Sequence, residues 1–64
     1  MRKTHFIINL ELRDYYVKTG DISWRSSLDI KDATKFDSRS DAQREITRLS
    51  IRSIWPEASV MEIV

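Results

Sequence analysis

Sixty-four residues, 41% apolar, 33% charged and 9% aromatic, leave room for one small domain over residues 1–64 and no second core. Eleven Lys and Arg against ten Asp and Glu give a net charge of +1, which excludes a polybasic tail and an acidic mimic of nucleic acid. With no cysteine, a disulfide scaffold, a thiol nucleophile and every Cys-based metal centre are excluded, and a reducing cytoplasm is the expected compartment.

The segment MRKTHFIINLEL has two early basic residues but no long apolar run, so neither a signal peptide nor a membrane span is expected. From Thr4 to Leu12 the residues alternate, with Phe6, Ile8, Leu10 and Leu12 on one face and His5, Ile7, Asn9 and Glu11 on the other. That period of two predicts a half-buried strand whose first set faces the core. Arg13-Asp14 is either a hairpin turn or a bulge in one long strand. Tyr15, Tyr16 and Val17 favour a strand, and Thr19-Gly20-Asp21 is the clearest turn signal in the chain. A further strand is expected to leave that turn through Ile22 and Trp24. Residues 26–36 read as a loop or helical turn followed by a short strand ending at Phe36.

Residues 37–41 are a cluster of N-cap types: Ser40 with Gln43 has capping-box form, and Ser38 with Asp41 offers a second start. A helix is predicted from here to about Ile54, stopped by Pro56, which disfavours helical geometry at Trp55 and lacks a backbone N–H. Residues 58–64, β-branched and uncapped, read as a closing strand. The predicted fold is therefore α+β: an antiparallel sheet of three or four strands packed by one helix, in the order β-β-(β)-α-β. Its expected core is Phe6, Ile8, Leu10, Trp24, Phe36, Ile46 and Leu49.

At about 100° per residue, Ala42, Ile46, Leu49 and Ser53 fall in one sector of a continuous helix, the core-facing stripe. Arg44, Arg48 and Arg52 follow an i, i+4, i+8 row on the other side, with Ile51 and Trp55 among them. Guanidinium groups about 5–6 Å apart around an apolar centre suit an acidic protein surface, since Trp and Arg concentrate at the energetic centres of interfaces. Arg44, Arg48, Ile51, Arg52 and Trp55 are accordingly the candidate protein-binding residues. The competing reading is a solvated face with local pairs to Asp41 and Glu45, and a Trp55 folded back into the core.

Nothing points to catalysis, a cofactor or a metal. His5 is the only histidine and stands in a strand with no nucleophile motif around it. Asp29, Asp32, Asp37 and Asp41 occupy turn and cap positions where Asp is favoured for backbone bonds alone. One glycine in the whole chain excludes glycine-rich phosphate loops and calcium loops. Tyr15, Tyr16 and Trp24 form either a stacking platform for bases or, more commonly, cross-strand pairs that stabilise a small sheet. The closing strand leaves an edge with a single charge, Glu62, open to pairing with a second copy of the chain.

Trp24, then Ala33-Thr34-Lys35-Phe36-Asp37-Ser38, then Asp41-Ala42, then Pro56 through Val64 resembles a type of small phage and prophage protein of unknown function. In those a β-hairpin ending near a Trp leads to an A-x-x-F-x-S/T-x-x-x-A helix entry and a closing strand. The likeness covers roughly residues 15–64. It implies an accessory role in a mobile element, such as binding a host protein in the host cytoplasm, and carries over no catalytic residue. The chain is also similar to the N-terminal arm-binding domains of phage integrases, which place a three-stranded sheet backed by a helix in the DNA major groove. The matching positions are Lys18, Arg25, Lys31 and Lys35. Interruption by Asp21, Asp29 and Asp32 and the net charge of +1 set DNA binding behind protein binding.

Overall fold

A computed structural model describes residues 4–63. It has four antiparallel strands in one open sheet and one helix, the α+β class expected from the sequence. The elements are β1 (Thr4–Asn9), β2 (Asp14–Lys18), β3 (Trp24–Ser27), α1 (Arg39–Arg48) and β4 (Ala58–Ile63). Short 3-10 turns, Ile30–Asp32 and Ile51–Ser53, flank the helix. The sheet order is β3-β2-β1-β4, so the closing strand returns beside the first and forms one edge. Val64, the expected last residue of that strand, and Met1, Arg2 and Lys3 lie outside the described residues.

Arg13-Asp14 proves to end a hairpin turn. β1 stops at Asn9, the Arg13 amide donates to the Asn9 carbonyl at 2.7 Å, and Arg13 takes a left-handed φ of 59°. Leu10, expected in the core, and Leu12, expected on the same strand face, therefore stand exposed on that turn. The second turn is longer than expected, since Ile22 is exposed before β3 begins at Trp24. Gly20 has no positive φ, and a Cβ there would lie 2.5 Å from Ser23 Oγ, a contact that rotation of the serine relieves at the cost of its bond from the Thr19 hydroxyl.

β1 is paired along its whole length with β4, but with β2 only at Ile8↔Tyr15 and Asn9↔Asp14. Towards the other end the two strands part and residues 34–36 fill the opening. Phe36 exchanges backbone bonds with His5 at 2.8 and 3.1 Å, while the Thr34 amide donates to the Tyr16 carbonyl at 3.0 Å. The Lys18 amide completes the wedge by donating to Thr34 Oγ1 at 2.7 Å. The short strand expected to end at Phe36 is thus a single bridge whose task is to satisfy backbone groups that the divergence would leave unpaired.

The helix packs on the face carrying Ile7, Tyr16, Ala58 and Val60, joined by Ala42 and Ile46 from α1 and by Ile51 and Trp55. Trp24, Phe36 and Leu49 close the rim of this core. The strand parity is the reverse of the one expected: Ile7 faces the helix, and Phe6 and Ile8, also buried, face the other way. Register explains this, because Ile7 pairs with Val60 across β1–β4 and strand neighbours share a face.

The helix starts at the second of the two expected positions. Ser38 is the N-cap, in extended geometry, and its hydroxyl accepts from the Asp41 amide at 3.2 Å. It ends well before Ile54. Leu49 caps it and Ser50 turns left-handed at φ 52°, its amide bonding back to the Thr47 carbonyl at 3.3 Å in the manner of a C-terminal reversal. The chain restarts as the 3-10 turn, with Ser53 returning both its amide and its hydroxyl to the Ser50 carbonyl. This change of direction drops Ile51 and Trp55 into the core and leaves Ser53 exposed, so α1 buries Ala42, Glu45 and Ile46, with its cap Leu49 half-buried beside them.

Candidate functional site

The five residues expected to form a protein-binding face are not brought together. Ile51 is fully buried and the Trp55 ring packs edge-on against Trp24 at 4.8 Å between centroids. An Arg-framed apolar stripe required one unbroken helix, and the left-handed Ser50 removes that geometry. Of the arginines, Arg44 is exposed and has no ion pair among the described residues. Arg52 reaches the Ala58 carbonyl at 3.3 Å, pinning the 3-10 turn to the start of β4.

Arg48 belongs to a clamp between the helix and the second hairpin. Glu45 is buried, and its carboxylate accepts from the Tyr16 hydroxyl at 2.7 Å and from Arg48 Nε at 3.0 Å. Arg48 Nη2 continues to the Asp21 carbonyl at 2.8 Å, and Lys18 Nζ lies 3.8 Å from Glu45. Burial alone would raise the Glu45 carboxyl. The bonds from Arg48 and Tyr16, and the charges of Arg48 and Lys18, outweigh it and hold the group below its ordinary value of 4.5. Burial first, then the bond to Glu45, pushes the Tyr16 hydroxyl far above the usual tyrosine range, so it stays a donor. The clamp pairs the one carboxylate it buries, that of Glu45, with Tyr16, Arg48 and Lys18. Its chemistry is that of a structural tie.

The four basic positions matched to integrase arm-binding domains divide between the two faces. Lys18 pairs with Trp24 on the helix side, beside Glu45, whereas Arg25 opposes Val17 on the other. Lys31 and Lys35 border a depression on the open face whose lining does not include Arg25. The aromatic platform also divides. Tyr16 stacks on Phe36 and tilts against Trp24 inside the core, while Tyr15 contacts Phe6 edge-on at 5.6 Å on the opposite face. His5 is buried in β1, an inner strand, with Nε2 3.0 Å from Glu62 Oε1 of β4, a cross-strand contact. Among the described residues no group of three metal-ligating side chains comes together. No helix of the described residues is long and apolar enough to cross a membrane.

Two surface features remain, neither of them legible in the sequence. The first is an apolar end of the sheet. Leu10 and Leu12 stand on the β1–β2 turn at 52% and 67% exposure, and Leu28, at 81%, leaves β3 beside the start of β2. Ile54, at 64%, is on the connection feeding β4, whose Glu57 carbonyl accepts from the Leu10 amide at 3.2 Å. Large exposed aliphatic groups gathered in one region mark interaction surfaces more often than scattered ones do. The second is a depression of about 330 Å³ on the open face, lined by Thr4, Phe6, Ile30, Lys31, Lys35 and Ile63. Strand periodicity hid both, because it assigned Leu10 and Leu12 to the core-facing side of a strand and says nothing about where residues 28–35 cross the sheet.

Comparison with known proteins finds no matching family model, no matching curated protein and no matching solved structure.

Proposed function

We propose that this chain is a non-enzymatic accessory protein, encoded by a phage or prophage, that acts by stoichiometric binding to another protein in the host cytoplasm. The observation that carries the reading is the apolar end of the sheet, where Leu10, Leu12, Leu28 and Ile54 are exposed on three neighbouring connections. Small domains bury apolar side chains to fold, and four left in water at one end represent stability forgone unless a partner covers them. Glu11, Arg13 and Glu57, on the same connections, supply a mixed-charge rim that favours a protein over the uniform negative charge of nucleic acid. The likeness to small phage proteins is what supports a mobile-element origin.

The test is affinity capture from a bacterial lysate, one half nuclease-treated and one half untreated, with the wild-type chain and with Leu12→Asp/Leu28→Asp. Both substitutions are on exposed turns, so thermal stability should change little. A protein retained in near-equal molar amount by the wild type and lost by the variant supports the reading. Retention of nucleic acid that vanishes with nuclease and weakens steeply with salt would move the assignment to the basic positions of the open face, Arg25, Lys31 and Lys35.

β4 adds a second surface. It is a six-residue sheet edge with Glu62 as its single charge, and that side chain is engaged by His5 on the helix side. Beyond Ala58, whose amide and carbonyl already bond Trp55 and Arg52, its rim suits pairing with a second β4 about a two-fold axis, giving a homodimer with one continuous sheet.

A further inference from the structure

We propose that the depression on the open face is a binding site for a single-chain amphiphile with a compact anionic head, of which a medium-chain fatty acid is the simplest member. It lies away from the apolar end of the sheet and does not rest on the protein-binding reading.

The floor is Phe6, almost wholly buried although it faces away from α1, and it is fixed by the edge-on contact with Tyr15. Ile63, on the neighbouring β4, and Ile30, from the 3-10 turn that crosses this face, form apolar walls. Because the floor is held by strand pairing and the wall by a capped turn, the cavity exists before any ligand enters. Its volume of about 330 Å³ falls at the lower end of small-molecule sites, roughly 300–1,000 Å³, which suits one short alkyl chain and no larger cofactor.

The remaining lining is cationic. Lys31 and Lys35 border the cavity, and neither has an ion-pair partner among the described residues. Two of the acidic side chains nearest in the sequence are otherwise occupied. Asp29 caps the turn by accepting from the Lys31 amide at 2.9 Å, and Asp32 accepts from the Ser27 hydroxyl at 2.8 Å. An alcohol of the same length would fill the apolar walls and leave both ammonium groups unanswered, and a small anion without a tail would leave the exposed Ile30 and Ile63 wet. Only a ligand that is apolar along its length and negative at one end satisfies both halves, with the Thr4 hydroxyl as an added donor at the border.

The experiment is an NMR titration of the full chain with sodium decanoate below its micellar range, alongside decanol and sodium acetate. The expected result is saturable decanoate shifts centred on the amides of Thr4, Phe6, Ile30, Lys31, Lys35 and Ile63, at least tenfold weaker binding of decanol, and none of acetate. Lys31→Gln/Lys35→Gln, exposed positions whose replacement should leave the rest of the spectrum in place, should weaken decanoate at least tenfold and decanol little. Absent or non-saturating shifts, shifts centred on the Leu10–Arg13 turn, or equal binding of decanol and decanoate would each overturn the assignment.

Discussion

Glu45 shows how one residue's setting can invert its role. By position it is a helix-surface glutamate beside two arginines, yet Tyr16 rises from the sheet to meet it, and the pair is buried with Arg48 as cover. The carboxyl titrates below its ordinary value of 4.5 in the folded chain, so its contribution to stability is fully present above that value and is lost as pH falls through the folded one. The stability difference between wild type and Glu45→Gln should therefore be constant near neutrality and shrink on acidification below the ordinary carboxyl value of 4.5. A difference independent of pH in urea melts would show that the charge contributes nothing. The same scale explains the inverted strand. Phe6-Ile7-Ile8 is apolar throughout, so alternation alone could not say which parity met the helix, and pairing with Val60 decided it. Ile7→Ala should cost about 2–5 kcal/mol, and Leu10→Ala less than about 0.5 kcal/mol, in the same melts. Comparable losses at both positions would contradict the register described above.

At the scale of elements, what was legible followed from local chemistry, and what was not followed from tertiary demands. The strand order β-β-β-α-β, the turn at Gly20, the Ser38 cap and the closing strand all have short-range signatures. The end of α1 does not, because the residue that turns the chain is a serine in a conformation usually given to glycine, and Pro56 offered a plausible stop six residues too late. That turn is worth its strain through the burial of Ile51 and Trp55, which no continuous helix would place against Trp24. Ser50→Gly relieves the left-handed penalty and should stabilise the chain by about 0.5–1 kcal/mol, whereas the same change at exposed Thr47, inside the helix, should destabilise it by a similar amount. Destabilisation at Ser50 as well would mean the helix continues through that position in solution. Misplacing this one boundary also misplaced the candidate interface, since Arg44, Arg48, Ile51, Arg52 and Trp55 share a face only on an unbroken helix.

The whole molecule presents three surfaces with different chemistry: an apolar end, a free β4 edge and an open face with its lysine-bordered depression. The edge predicts self-association. Light scattering should give twice 7.6 kDa for the wild type and 7.6 kDa for Met61→Lys, which adds a charge at the edge while leaving the helix-side core untouched. A wild-type mass of 7.6 kDa at high concentration would remove the dimer without touching the apolar end. That end is the centre of the functional account, and the mass of the complex it forms tests it most directly. Purified from nuclease-treated lysate, the wild-type chain should elute as a discrete species whose mass fits an integer ratio of chain and one other protein, and Leu12→Asp/Leu28→Asp should elute without that protein. If both elute identically, with no second protein bound in integer ratio, the chain does not act through this surface.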